Sequence, residues 1–311
     1  MGKTAFIFPG QGAQYTGMGK DFYDASEKVR ELFKRADEVT GLDLENLIFE
    51  ENEQLDVTEY TQIAMTVTEL AILGEVLGRG IRADMCAGLS LGEYAALAAT
   101  GVMEAEDIFR IVRKRGIFMQ NACPHGGAMS AVLGAKSSLV EEICARVAEE
   151  CGKSVSLANY NCPGQYVITG DAEAVERAAA LCVEGGAKRA IPLKVSGPFH
   201  SPLLAGAAEK LAQELSEVRV NTPGIPYYTN VSADAVTAAS DIKELLARQI
   251  CSPVRWQQSV ERMIADGAVR FIEIGPGKTL AGFMKRIDRS IEVCSIGTME
   301  ELEHFRGDAS M

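Results

Sequence analysis

The stretch Gly88-Leu89-Ser90-Leu91-Gly92 constrains this chain more than any other. It is a G-x-S-x-G sequence with the apolar run Ala83–Ala87 before it and the helix-forming run Tyr94–Ala99 after it. A serine on so tight a strand-to-helix turn sits in a strained backbone. Its flanking glycines are needed because a side chain at either place would crowd the strand or the helix. The turn presents the hydroxyl at the carboxyl end of the strand, where the first amides of the following helix can stabilise an oxyanion. Five residues can match by chance, and a turn serine without chemistry is the plain alternative. The strand–turn–helix setting and partners elsewhere in the chain argue for chemistry.

The flanking segments extend the same α/β rhythm. Thr4–Phe8 is short, apolar and stopped by Pro9-Gly10, as expected of a buried parallel strand. Ile63, Val67, Leu70 and Ala71 recur at helical spacing before Gly78 and Gly80, and a long helix is expected over Ala105–Asn121. Alternating strands and helices favour a parallel sheet covered on both faces. From about Gly126 to Lys194 the rhythm changes. Strands at Met129–Leu133, Val155–Leu157, Tyr166–Thr169 and Ala190–Leu193 alternate with two helices, one opened by a capping box Ser138-x-x-Glu141 and one capped by Asp171. The order β-α-β-β-α-β is ferredoxin-like. The expected organisation is a discontinuous α/β domain, residues 1–125 and 195–311, with residues 126–194 inserted as a small domain. Later elements are a helix near Leu203–Leu215, a strand Ile225–Thr229, helices near Ile242–Ile250 and Trp256–Ala265, and a strand Arg270–Ile274. The polar tail after Thr298 is expected to fray.

Composition removes several functional classes. With 311 residues the chain can bury a sizeable core, and its net charge of −12 argues against general nucleic-acid binding. The eight cysteines form no C-x-x-C pair and read as small core residues of a reducing compartment, neither disulfides nor metal ligands. No charged and apolar leader opens the chain and no run is long enough to span a bilayer, so a cytoplasmic protein without membrane partners is expected. Asn230-Val231-Ser232 fits a glycosylation sequon only by chance in that setting. Two nucleotide motifs fail. Gly277-Lys278-Thr279 lacks the P-loop glycine, since Ile272 stands in its place, and Gly10-x-Gly12 lacks the third dinucleotide glycine at Tyr15.

A serine nucleophile requires a base, and the chain has three histidines. His304 lies in the charged tail and His125 at the proposed domain junction. His200 lies in Val195-Ser196-Gly197-Pro198-Phe199-His200-Ser201-Pro202, a constrained loop where the insert rejoins the main domain, and is the preferred base.

Four motifs in order carry a resemblance. Phe8-Pro9-Gly10-Gln11-Gly12-Ala13-Gln14, Gly88-Leu89-Ser90-Leu91-Gly92-Glu93-Tyr94, Gly197-Pro198-Phe199-His200-Ser201 and Glu273-Ile274-Gly275-Pro276-Gly277 together resemble the malonyl-CoA:acyl carrier protein transacylase family. The similarity runs from Phe6 to about Ile287. It implies an α/β-hydrolase-like core with a ferredoxin-like insert, and transfer of malonyl from malonyl-CoA to the phosphopantetheine thiol of acyl carrier protein in fatty acid synthesis. The implied roles are Ser90 as nucleophile, His200 as base, and the amides of Gln11 and Leu91 as oxyanion hole. A main-chain carbonyl near Gln249 would orient the histidine in place of a triad carboxylate.

Arg115 matches the family arginine, whose planar fork suits a carboxylate and so selects malonyl over acetyl. Arg113 and Lys114 fit solvated helix positions better. Phe199 resembles the aromatic of malonyl-selective relatives and should disfavour methylmalonyl. The resemblance calls for no cofactor and no metal. One position departs from the pattern: Leu89 stands where the family usually has histidine. An acidic carrier would dock on Lys278, Lys285, Arg286 and Lys188-Arg189. The competing readings are a serine esterase or thioesterase, a non-catalytic carrier-binding scaffold, and an acyltransferase serving a polyketide synthase.

Overall fold

The structure, a computed structural model, describes residues 2–123 and 127–305. The apolar runs read above as strands assemble into the first of two sheets. Strands β1 (Lys3–Phe8) and β2 (Met85–Gly88) pair in parallel at its centre. Strands β3 (Gly127–Leu133), β4 (Val155–Cys162), β5 (Gln165–Asp171) and β6 (Arg189–Pro192) belong to the second sheet. The first sheet is completed by β7 (Tyr227–Tyr228), β8 (Ala235–Val236), β9 (Ala268–Ile274) and β10 (Glu292–Ile296), in the order β10-β9-β1-β2-β7-β8. All pairings in it are parallel except β7 with β8 at one edge. Ala5, Phe6, Ile7 and Phe8 are all buried, because both faces of β1 are covered. Helix Thr58–Gly78 is buried without interruption from Thr61 to Leu73, which makes it an internal helix rather than a surface one. It packs closely on helix Ala105–Asn121. Gly116 permits that approach, since a Cβ there would lie 2.9 Å from Glu59 Cα.

The second sheet is antiparallel, in the order β4-β5-β3-β6, with helices Ser137–Cys151 and Ala172–Glu184 packed on it. Side chains alternate between its two faces. Tyr166 and Ile168 enter the core beneath those helices, whereas Val167 joins the core of the first sheet. The second sheet therefore turns one face toward the carboxyl ends of β1 and β2.

Several expectations are corrected in detail. Ser138 does not cap: the helix starts at Ser137, so Ser138 is already helical and no side chain caps it. Asp171 occupies the N-cap position, but its carboxylate accepts from the Ser154 amide at 2.8 Å and ties β5 to the start of β4. The strand expected at Ile225–Thr229 shrinks to Tyr227–Tyr228. The first part of the tail, residues 298–305, is folded rather than frayed, and residues 306–311 lie outside the described residues. The Thr298 hydroxyl accepts from the Glu301 amide, helix Met299–His304 follows, and Leu302 is buried. The helices Lys20–Ala25, Glu27–Thr40 and Leu44–Phe49 were not anticipated, although Val29, Phe33 and Ala36 recur on one face of the second. All eight cysteines are free; Cys86, Cys144, Cys162 and Cys182 are buried and the rest are half-buried. Among the described residues no helix is long and apolar enough to cross a membrane, and no cluster of metal-ligating side chains occurs.

Candidate active site

The elbow is built by close backbone contact. A Cβ on Gly88 would lie 1.9 Å from Gly92 C, and one on Gly92 would lie 2.3 Å from the Phe8 carbonyl oxygen, so only glycine fits either place. Ser90 opens the short 3-10 turn Ser90–Gly92 before helix Glu93–Ala99, and its φ is +52°. Asn230, in the loop after β7, clamps the turn from both sides: its Nδ2 donates to the Gly88 carbonyl at 2.7 Å and its Oδ1 accepts from the Ser90 amide at 2.6 Å.

His200 also lies at positive φ, +60°. Its Nε2 is 2.7 Å from Ser90 Oγ, and its Nδ1 is 2.9 Å from the Gln249 carbonyl oxygen. A carbonyl only accepts, so Nδ1 carries the hydrogen and Nε2 is left free to take a proton from the serine. Burial, with the neighbouring Arg115 charge, pushes the imidazole down to about 4, so it is neutral at physiological pH.

Arg115 reaches the same serine from helix Ala105–Asn121. It is only 1 % exposed. Nη1 donates to Gln62 Oε1 at 2.7 Å, while Nη2 donates to Gln249 Oε1 at 3.0 Å and to Ser90 Oγ at 3.2 Å. Its guanidinium lies 5.6 Å from the centre of the Tyr94 ring. The neighbours differ: Lys114 is exposed, as expected, and pairs with Glu214, whereas Arg113, expected to be solvated, is only 17 % exposed and pairs with Glu59.

Gln249 is the junction of this network. Its carbonyl meets His200, its Oε1 meets Arg115, and its Nε2 donates to the Ser90 carbonyl at 3.0 Å and to Glu93 Oε2 at 2.6 Å. Burial raises the Glu93 carboxyl to about 7, against the hydrogen bonds from Gln249 and Asn230.

These residues meet at a cleft of about 220 Å³. Ser90, His200, Arg115, Gln11, Leu91, Phe199 and Leu89 line it from the first sheet and its loops. Met129, Asn159, Asn161 and Val167 line it from the second. Among the described residues neither the Gln11 nor the Leu91 amide has a hydrogen-bond acceptor. The buried Asn161 Oδ1 likewise has no partner. Gln249 does not line the cleft, since its side chain lies behind Arg115 and Ser90.

The remaining candidates separate from this group. His125 lies outside the described residues. His304 is exposed on the last helix, with Nδ1 on its own Glu300 carbonyl. Gly277-Lys278-Thr279 does precede a helix, Thr279–Ile287, but its amides at Leu280 and Ala281 already hold the Glu273 carboxylate at 2.9 Å. That terminus is thus taken by an internal anion. Of the surface cations, Lys278 pairs with Glu301 at 2.6 Å and Arg286 donates to Gln165. Gln62, Glu93 and Asn230 were missed as members of the site. The signal for Glu93 was present, a lone charged residue at the head of the otherwise apolar helix Glu93–Ala99, whereas Gln62 sits among the threonines and glutamates of its own helix and carried no such mark.

The chain matches the acyl transferase domain family over residues 5–301. It is 47% identical over 305 residues to the malonyl CoA-acyl carrier protein transacylase of Bacillus subtilis (strain 168), covering 97% of this chain and 96% of that protein. The crystal structure of an acyl carrier protein S-malonyltransferase from Vibrio cholerae superposes with a TM-score of 0.94 at 42% identity, covering 97% of this chain and 99% of that one. A malonyl-transacylase in complex with a type II PKS acyl-carrier protein superposes with a TM-score of 0.93 at 38% identity, covering 97% and 98%. The serine elbow, its paired histidine and the buried arginine thus sit in a chain that belongs to the malonyl-CoA:acyl carrier protein transacylase family of acyl transferases.

Proposed function

We propose that this enzyme transfers the malonyl group of malonyl-CoA to the phosphopantetheine thiol of an acyl carrier protein, in fatty acid synthesis, through a malonyl-serine intermediate. The observation that carries the reading is the position of Ser90 Oγ, 2.7 Å from an imidazole nitrogen and 3.2 Å from a buried guanidinium. His200 Nε2 takes the hydroxyl proton as Oγ attacks the thioester carbonyl. The negative oxygen that forms is met by the unpartnered amides of Gln11 and Leu91. As the carbonyl re-forms, the bond to sulfur breaks and the imidazolium returns its proton to the CoA thiolate. The carrier thiol repeats the sequence in the second half of a ping-pong cycle.

Arg115 receives the malonyl carboxylate. An acetyl group would leave that buried guanidinium short of an anion, and an esterase would have no use for it. Phe199 closes the cleft near the α-carbon and so disfavours a methyl substituent there. Asn159 and Asn161 offer amide groups to the pantetheine arm from the second sheet. Gln249 acts on substrate through Arg115 and His200.

In this reading residues 1–125 and 195–311 form an α/β-hydrolase-like domain and residues 126–194 a ferredoxin-like one. The element order and the strand order β4-β5-β3-β6 support this division. Lys285, Arg286, Lys188 and Arg189, with Lys278 partly neutralised by Glu301, would meet the acidic carrier. Free cysteines and a CoA substrate suit the cytoplasm. The test is intact mass spectrometry and peptide mapping after mixing with malonyl-CoA, then with a phosphopantetheinylated carrier. A malonyl adduct on Ser90 that passes to the carrier is expected, and none in Ser90→Ala. A wild type that takes up no malonyl refutes the reading.

A further inference from the structure

Glu93 is a fully buried carboxylate that none of the steps above uses. Its Oε2 accepts from Gln249 Nε2 at 2.6 Å and from the Asn230 amide at 3.2 Å, whereas its Oε1 has no partner among the described residues. The same Gln249 amide accepts from Arg115 at 3.0 Å through Oε1, so one amide separates the buried carboxylate from the buried guanidinium. The groups that face Glu93 are Arg115 from helix Ala105–Asn121, Gln249 from helix Ile242–Gln249, Tyr227, Thr229 and Asn230 from β7 and the loop after it, and Tyr94 beside it. Arg115 is the only cation in that set.

We propose that loading of a carboxylate-bearing acyl group is coupled to the uptake of one proton from solvent by Glu93, at Oε1. The inference rests on the reading that Arg115 receives the malonyl carboxylate. In the empty site Glu93 balances the guanidinium through Gln249. Once malonyl is seated, two carboxylates face one buried guanidinium, and like charges there cannot both persist cheaply. Malonyl touches the guanidinium directly and Glu93 reaches it only through an amide, so Glu93 is the one that is neutralised. Protonation at Oε1 forms one O–H bond and leaves both hydrogen bonds to Oε2 intact, so Gln249 keeps its hold on His200 and Arg115. Burial already holds this carboxyl near 7 in the empty site, within reach of such a shift. The proton leaves again when malonyl passes to the carrier.

The experiment measures the ratio of acyl-enzyme to free enzyme by intact mass spectrometry at fixed thioester and CoA, across about pH 6.5 to 8, with malonyl-CoA and separately with acetyl-CoA. A loaded state that binds one more proton should lose occupancy by up to about tenfold per pH unit above about pH 7. Acetyl brings no charge, so its ratio should stay flat. Glu93→Gln should flatten the malonyl curve as well. The wild-type comparison of the two thioesters decides the question even if that variant fails to fold. A flat malonyl curve, or equal slopes for both thioesters, overturns the proposal while leaving acyl transfer intact. Failure to form any malonyl adduct overturns both.

Discussion

Replacing Arg115 with alanine isolates what the guanidinium does for selectivity. Gln62, Gln249 and Ser90 engage three of its N–H donors. A guanidinium has about five, so roughly two remain for a substrate carboxylate. Hydrogen bonds to a charged group contribute about 1.5–3 kcal/mol each, and stripping water from the malonyl carboxylate offsets part of the sum. A net preference of about 2–4 kcal/mol, or roughly 30- to 1,000-fold for malonyl over acetyl, follows at about 1.4 kcal/mol per tenfold. Arg115→Ala should therefore collapse the malonyl-to-acetyl ratio of acylation rates by that factor. Both rates can also fall, because Ser90 Oγ loses a donor. Arg115→Lys should give an intermediate ratio, since it keeps the charge and loses the fork. The assay is single-turnover acylation followed by rapid quench and mass spectrometry, on protein verified as folded by circular dichroism. A ratio unchanged within about threefold in folded Arg115→Ala would refute the carboxylate role.

Five further outcomes are expected. Gly88→Ala puts a methyl 1.9 Å from the Gly92 backbone, so it should cost at least about 3 kcal/mol in chemical denaturation and abolish acylation; an unchanged midpoint would mean the turn can open. With His200 held down to about 4, the acid limb of acylation should fall near pH 4, and a limb near the ordinary imidazole value of 6.5 would contradict the buried neutral base. The unfolded chain protonates this histidine first, so between about pH 6.5 and 4 stability should fall as pH falls, more steeply in wild type than in His200→Gln. Phe199→Ala should raise methylmalonyl loading relative to malonyl by about tenfold, as judged by competition between the two thioesters. Rates of transfer to the carrier should decline with added salt, and reversing the charges of Lys188 and Arg189 should remove most of that dependence; salt-indifferent transfer would dismiss the basic surface.

Much of the site was legible because its chemistry is concentrated in short, unusual turns. The two glycines around Ser90 are dictated by contacts under 2.5 Å, and such a requirement leaves a mark in the sequence. The helix Ala105–Asn121 was legible within its bounds and each strand of the second sheet was anticipated, although β4 runs five residues past Leu157, through the Asn161-Cys162 pair read as a turn. Gln249 was a different case. Its backbone carbonyl carries no residue-type signal, and its side chain matters only because Arg115, Glu93 and Ser90 converge on it from distant parts of the chain. Asn230 was read as a stray sequon and proved to be the clamp on the elbow. Local capping rules failed at Ser138 and Asp171 because nearby backbone geometry and a cross-strand amide competed for the same groups. The start of the tail, residues 298–305, was misread because its charge concealed one buried leucine, Leu302, and a capping threonine.

Ser90 and His200 share one awkward trait: each has its backbone in the left-handed region, at +52° and +60°. Each such residue costs on the order of 1–2 kcal/mol relative to an ordinary conformation, and only a firmly closed surround sustains the pair. A loosened interior would let these two residues relax before the sheets come apart. Catalytic turnover is then a finer gauge of nativeness than any spectroscopic signal, and it should vanish several degrees before the molecule melts.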